Sequence, residues 1–189
     1  MKKILLPVLM CFLILNCKAQ IISIQDANTY FLSEDEGIPD NVTAIKDLNN
    51  TLDVFVGNWS GVHENITYDL FIEKIESTLV DIPHDILSIG YKITNENGVV
   101  TYDTTNLTNN ELVKISGNYF LNDGETYYTN YFGQYSNCGQ FGNLLLNASS
   151  NNQLTVKFIP GRDSIDSSNC NISWSYPFPI NENVVLLKQ

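Results

Sequence analysis

Leu48-Asn49-Asn50-Thr51-Leu52-Asp53-Val54-Phe55-Val56-Gly57-Asn58-Trp59-Ser60-Gly61 is the stretch whose reading decides the fold. Leu52, Phe55 and Val56 stand at i, i+3 and i+4, so they share one face of a short helical turn. Asp53 falls in its first turn, where a carboxylate meets the positive end of the peptide dipoles. Gly57 ends the turn at a position that often requires a positive φ. From Asn58 the pattern changes to that of a strand, and Trp59 is its first large side chain. A short helical turn followed directly by a strand predicts a β domain, barrel or sandwich, that begins here.

Working outward, the C-terminal side consists of short segments of strand character. Gly57–His63 and Ile66–Ser77 flank Glu64-Asn65, and Tyr68, Leu70 and Ile72 share one face of the second segment. Asp85–Thr94 alternates, with Leu87, Ile89, Tyr91 and Ile93 inward and Ser88, Lys92 and Thr94 outward. Asn97-Gly98 supplies the positive φ angles of a tight hairpin turn, and Val99–Asp103 returns. Further segments run over Glu111–Leu121, Glu125–Tyr135, Gln140–Asn147, Gln153–Ile159, Asn171–Tyr176 and Asn183–Lys188. No long helical pattern interrupts them, which is the signature of an all-β barrel or sandwich. The strand pattern alone leaves both open; a resemblance described below implies a single antiparallel up-and-down barrel of about eight to ten strands. A short helical turn precedes its first strand.

On the N-terminal side the chain opens with Lys2, Lys3 and the apolar run Ile4–Leu15. That run is too short to span a bilayer and reads as a secretory signal. Two cleavage readings stand side by side. Ile14-Leu15-Asn16-Cys17 resembles a lipobox, which would make Cys17 an acylated first residue and anchor the protein to a membrane. Cleavage after Ala19 would instead leave Gln20 at the terminus. Ile21–Ile24 has the look of an edge strand, continued over Asn28–Leu32, and Ser33–Lys46 reads as a polar strap. The chain therefore divides into a leader at 1–16, a tether or strap at 17–47 and a β-barrel domain at 48–189.

Gly57-x-Trp59 after a helical turn looks like the entrance to a lipocalin-type (calycin) barrel, with the Trp packed across the floor. A wider set of motifs occurs in order: Cys17-Lys18-Ala19-Gln20, Lys46 to Trp59, Asp85-Ile86-Leu87-Ser88-Ile89-Gly90-Tyr91, and the terminal Val184-Val185-Leu186-Leu187-Lys188-Gln189. These resemble an uncharacterised family of small lipoproteins from Gram-negative bacteria of the Bacteroidota group. The resemblance covers nearly the whole chain, loosely between Leu107 and Asp166. It implies a lipocalin-like barrel and a cell-envelope address, on the outer membrane. It carries no activity and no catalytic residue.

The 189 residues suit one domain with a real core, and 43% of them are apolar. The net charge is −11, and loss of Lys2 and Lys3 with the leader makes it more negative still. Such a surface repels nucleic acid and anionic headgroups. Of four cysteines, Cys11 lies in the leader and Cys17 is the lipidation candidate. Cys138 and Cys170 remain, in an oxidising compartment, as a candidate disulfide.

Catalytic signals are sparse. Gly57-Asn58-Trp59-Ser60-Gly61 misses the Gly-x-Ser-x-Gly elbow by one place and lacks its strand–turn–helix setting. His63 and His84 are the only imidazoles; together they could supply two metal ligands, but no Cys or His sits at ligand spacing beside either. Glu34-Asp35-Glu36 and Glu73 with Glu76 read as solvated charge. Asp163, Asp166 and Asn169 lack calcium-loop spacing. No enzyme, cofactor or metal is expected. The most distinctive feature is aromatic: Tyr119, Phe120, Tyr127, Tyr128, Tyr131, Phe132 and Tyr135 crowd one hairpin. Tyr119, Tyr127, Tyr131 and Tyr135 are candidates for a ligand wall, offering rings to a small hydrophobic molecule and hydroxyls to its polar end. The alternative is a non-catalytic envelope scaffold whose aromatics only pack.

Overall fold

The computed structural model describes residues 19–33, 37–77, 82–106, 115–149, 152–161, 170 and 174–189. The candidate sites at Cys11, Cys17, Glu34–Glu36 and Asp163–Asn169 lie outside these residues. Among the described residues there are eleven strands. They are β1 (Gln20–Ser23), β2 (Val42–Lys46), β3 (Gly57–His63), β4 (Ile66–Ser77), β5 (His84–Thr94), β6 (Val100–Asp103), β7 (Ile115–Phe120), β8 (Tyr127–Phe132), β9 (Phe141–Ser149), β10 (Gln153–Pro160) and β11 (Asn183–Lys188). Among the described residues one α-helix, α1, spans Ile24–Phe31.

Eight of the strands close an antiparallel barrel of up-and-down, lipocalin-like order. β3, β4 and β5 are neighbours in turn, β7 to β11 are neighbours in turn, and the ring closes through β5–β7 and β11–β3. Closure at the last seam is brief: Leu187 faces Ser60 and Lys188 faces Trp59. Closing the sheet removes the exposed edges that would otherwise template aggregation. β5 is long enough to serve several partners along one edge. Its start meets β2 at Ile45–His84, its middle meets β7 at Ser88–Ser116, and its end meets β6 at Ile93–Tyr102.

The inward residues follow the period of two. Tyr68, Leu70 and Ile72 on β4 and Leu87, Ile89, Tyr91 and Ile93 on β5 are all buried. Burying a side chain of this size stabilises the fold by about 1.5–3 kcal/mol. Ser88 was expected outside but is buried, because β7 pairs with β5 at that residue.

The opening stretch plugs one end, here called the floor. Phe55 N–H donates to Leu52 O and Val56 N–H to Asp53 O, so the turn is tight. Leu52 and Phe55 are buried, whereas Val56 is half-buried. Gly57 has φ 135°, a conformation that a side chain would strain. Trp59 is 2% exposed, and its Nε1–H donates to Phe55 O at 2.7 Å. Asp47 organises the turn from below. Its carboxylate accepts from Thr51 N–H, Thr51 Oγ1 and Leu52 N–H at 2.7, 2.8 and 3.1 Å. Lys74 Nζ lies 3.2 Å away and also bonds Asp53.

Three local expectations fail for identifiable reasons. Asn28–Leu32 is not a strand but the end of α1, whose N-cap Ser23 accepts from Asp26 N–H at 3.0 Å. Ser33–Lys46 is not all strap, because Val42–Lys46 pairs in parallel with β1 and buries Val42 and Ile45. Trp174–Tyr176 has no strand partner, and residues 171–173 lie outside the described ones.

Candidate functional site

β8 starts beside the floor at Tyr127 and delivers Tyr131 to the opposite end, the mouth. There the chain turns through Ser136–Cys138 into β9. The segment preceding β11 crosses the same end. Cys138 and Cys170 are joined by a disulfide, with their Cα atoms 5.5 Å apart. Tyr176 Oη donates to Gly139 O at 2.9 Å, and Gln140 Nε2 donates to Ser175 O at 2.8 Å. Tyr102 Oη of β6 donates to the same Ser175 carbonyl at 2.9 Å. The strap is thus held to both sides of the mouth.

From this strap Phe178 drops into the bore. It is 3% exposed, and its ring centroid lies 5.4 Å from Tyr91, 6.0 Å from Tyr68 and 6.3 Å from Phe158. Tyr131 meets Phe158 edge-on at 5.5 Å. At the floor, Phe55, Phe120 and Tyr127 form a second cluster with centroids 4.9–6.2 Å apart. Offset and edge-on ring pairs of this kind add about 0.5–1.5 kcal/mol each beyond their burial. Aromatic rings therefore meet across the bore at both levels.

The mouth keeps a pocket of about 570 Å³, within the usual size range of small-molecule sites. Tyr91 and Tyr131 form its base. Tyr102, Tyr135 and Trp174 supply aromatic wall, and Thr101, Asp103, Thr104, Gln134, Gln140 and Ser175 supply polar atoms. Gly133 permits this base: a Cβ there would sit 2.3 Å from Gln140 Oε1 and 2.5 Å from Tyr131 Oη.

The polar chemistry of the pocket is neutral within and anionic at its rim. Burial pushes the Tyr91 phenol up to about 12, against a hydrogen bond from Tyr131. Burial likewise raises Tyr131, helped by the neighbouring Tyr91. Both phenols stay protonated at neutral pH and can donate or accept. Asp103 is held below the usual carboxylate range by the Thr105 hydroxyl and backbone N–H, at 2.6 and 2.9 Å. Gln140 is buried and fully engaged, because its Oε1 also accepts from Tyr135 N–H at 2.9 Å.

The four tyrosines proposed from sequence separate. Tyr131 and Tyr135 line the pocket, Tyr135 from the turn after β8 and not from the strand itself. Tyr127 belongs to the floor cluster. Tyr119 points outward and stacks on Tyr128 at 5.0 Å, beside Phe31. A bulge between Gly117 and Tyr119 shifts that part of β7, which sequence parity does not reveal. His63 and His84 stand at opposite ends, at the mouth end of β3 and the floor end of β5. Ser60 Oγ donates to Asp69 at 2.7 Å and has no histidine partner. Glu76 is paired with Lys46. Tyr102, Asp103, Gln134 and Trp174 escaped the sequence reading. A faint signal lay in Trp174-Ser175-Tyr176 following Cys170 so closely.

A family profile described as "Family of unknown function (DUF6705)" matches residues 1–113. The chain belongs to that family. The matched span carries the floor turn, Trp59, Tyr91 and residues 101–104 of the pocket. The remaining pocket residues, Tyr131 onward, come from the part of the chain beyond it. No curated protein and no solved structure matches the chain.

Proposed function

We propose that this DUF6705 protein is an exported, non-catalytic binding protein of a Bacteroidota cell envelope, anchored by acyl chains on Cys17. Its ligand is a small, largely hydrophobic molecule with a polar end, held at the barrel mouth and not deep in the bore. The observation that carries this reading is the pocket at the mouth, with the Tyr91 and Tyr131 phenols at its base, rings on its walls and Asp103 at its rim. Apolar walls with a few placed polar groups are the usual composition of a small-molecule site. The rim carboxylate favours a neutral or cationic ligand over an anion.

The two tryptophans make the test direct, since Trp174 lines the pocket and Trp59 lies at the floor. Single-tryptophan variants, Trp59→Phe and Trp174→Phe, are titrated with an organic extract of the host envelope. Binding at the mouth changes Trp174 emission and leaves Trp59 emission unchanged. A response from Trp59 alone refutes the location. For the anchor, radiolabelled palmitate is expected to enter the wild type and not Cys17→Ser, and equal labelling refutes it. A scaffold reading draws on the rings that occupy the bore, and it predicts no change in either tryptophan.

A further inference from the structure

Outside the pocket, the mouth end carries a second cluster. His63 ends β3, Glu64 opens the two-residue turn to β4, and Glu182 stands at the end of the strap just before β11. One ligating atom from each lies within 4.8 Å of the others. His63 Nε2 and Glu182 Oε2 are 2.9 Å apart, although the residues are 119 positions apart in sequence. Among the described residues no lysine or arginine forms an ion pair with either glutamate. The Tyr68 phenol is raised first by burial and then by the charges of Glu64 and Glu182, so both carboxylates act on the same small region. Two carboxylates and one imidazole thus converge with no lysine or arginine ion-paired to either carboxylate among the described residues, a donor set that suits a cation.

We propose that His63, Glu64 and Glu182 bind one divalent transition-metal ion of the Zn²⁺ class, which fastens the end of the strap to the β3–β4 turn. Imidazole nitrogen with carboxylate oxygen favours Zn²⁺ and its neighbours, whereas Ca²⁺ and Mg²⁺ prefer all-oxygen shells. Three protein ligands leave at least one position for water. His63 Nε2 and Glu182 Oε2 now bond directly at 2.9 Å, so an ion enters by replacing that contact, with all three ligand atoms within 4.8 Å of one another. Two of the three side chains are exposed glutamates, free to close by rotation. The bridge has a structural consequence. The strap carrying Phe178 is tied at Cys170 by the disulfide, and the metal would tie its other end at Glu182. This inference is independent of the ligand reading above.

The test is calorimetric titration of the purified protein with Zn²⁺, with an excess of Ca²⁺ and Mg²⁺ as controls. One saturable site is expected, undiminished by the hard cations. His63→Ala and Glu182→Gln, both at solvent-accessible side chains, each weaken it by at least about tenfold, whereas His84→Ala leaves it unchanged. Hydrogen exchange of the backbone around Ile180–Asn183 is expected to slow on addition of Zn²⁺. No saturable binding, or binding of equal strength in His63→Ala and Glu182→Gln, overturns the site. Unchanged exchange at the strap end overturns the bridge.

Discussion

Replacing Asp47 by Ala should destabilise the whole barrel, although Asp47 lies outside the barrel strands. Its side chain is fully buried. It holds two backbone N–H groups and one hydroxyl of the floor turn, with Lys74 alongside. Asp47→Ala strands the Thr51 and Leu52 N–H groups, and a hydrogen bond to a charged partner is worth about 1.5–3 kcal/mol. Breaking a buried ion pair from one side costs about 3–5 kcal/mol. These terms overlap, and Lys74 retains Asp53 and partial access to water. The expected loss is therefore about 3–5 kcal/mol in total. With a urea slope of about 1–3 kcal/mol/M, the midpoint should fall by at least about 1 M. The assay is urea unfolding followed by Trp fluorescence and far-UV circular dichroism, because Trp59 bonds directly to the turn at Phe55. A loss below about 1 kcal/mol, the range of an ordinary surface substitution, would refute the claim that Asp47 holds the floor.

Acid should act through the same residue. Burial pushes the Asp47 carboxyl up, but Thr51, Leu52 and Lys74 outweigh it and the folded pKa lies below the ordinary 3.8. Its stabilisation is thus complete above the unfolded value and is lost as pH falls through the folded one. Unfolding free energies measured from pH 6 to pH 2 should fall less steeply in Asp47→Asn than in the wild type. Trp59→Ala should cost about 3–5 kcal/mol in the same urea assay, through cavity formation behind the floor turn. The Cys138→Ser/Cys170→Ser double variant opens a link of sequence separation 32. It should lose about 3–4 kcal/mol by chain entropy, read as a lowered urea midpoint that reductant does not change further. Gly133→Ala should drive Gln140 and Tyr131 from the pocket base and abolish the Trp174 response to ligand while circular dichroism stays that of the wild type.

The floor was legible because its determinants are local. Leu52, Phe55, Gly57 and Trp59 fall within eight residues, and their spacing states a buried turn, a positive φ and a strand start. Most strands were legible because inward residues repeat every second position, as along Leu87, Ile89, Tyr91 and Ile93. α1 was misread, although Ser23 and Asp26 three residues later form a capping signal. The mouth was barely legible because it is non-local. Tyr102, Gln140 and Ser175 meet only after the strap crosses, and His63 meets Glu182 by the same crossing. Tyr119 stacks on Tyr128 away from the pocket, after a register shift between Gly117 and Tyr119 that aromatic content does not signal. Aromatic content alone marked the hairpin and did not separate the pocket side chains Tyr131 and Tyr135 from the floor side chain Tyr127.

The most direct measurement of the central claim is native mass spectrometry of the protein purified from its own host's envelope, beside Trp174→Ala and Tyr102→Ala purified in the same way. The account predicts a wild-type adduct of small-molecule mass that disappears on denaturation and is lost or depleted in both variants. A clean apo mass for the wild type, or an adduct equally retained by both variants, would contradict it.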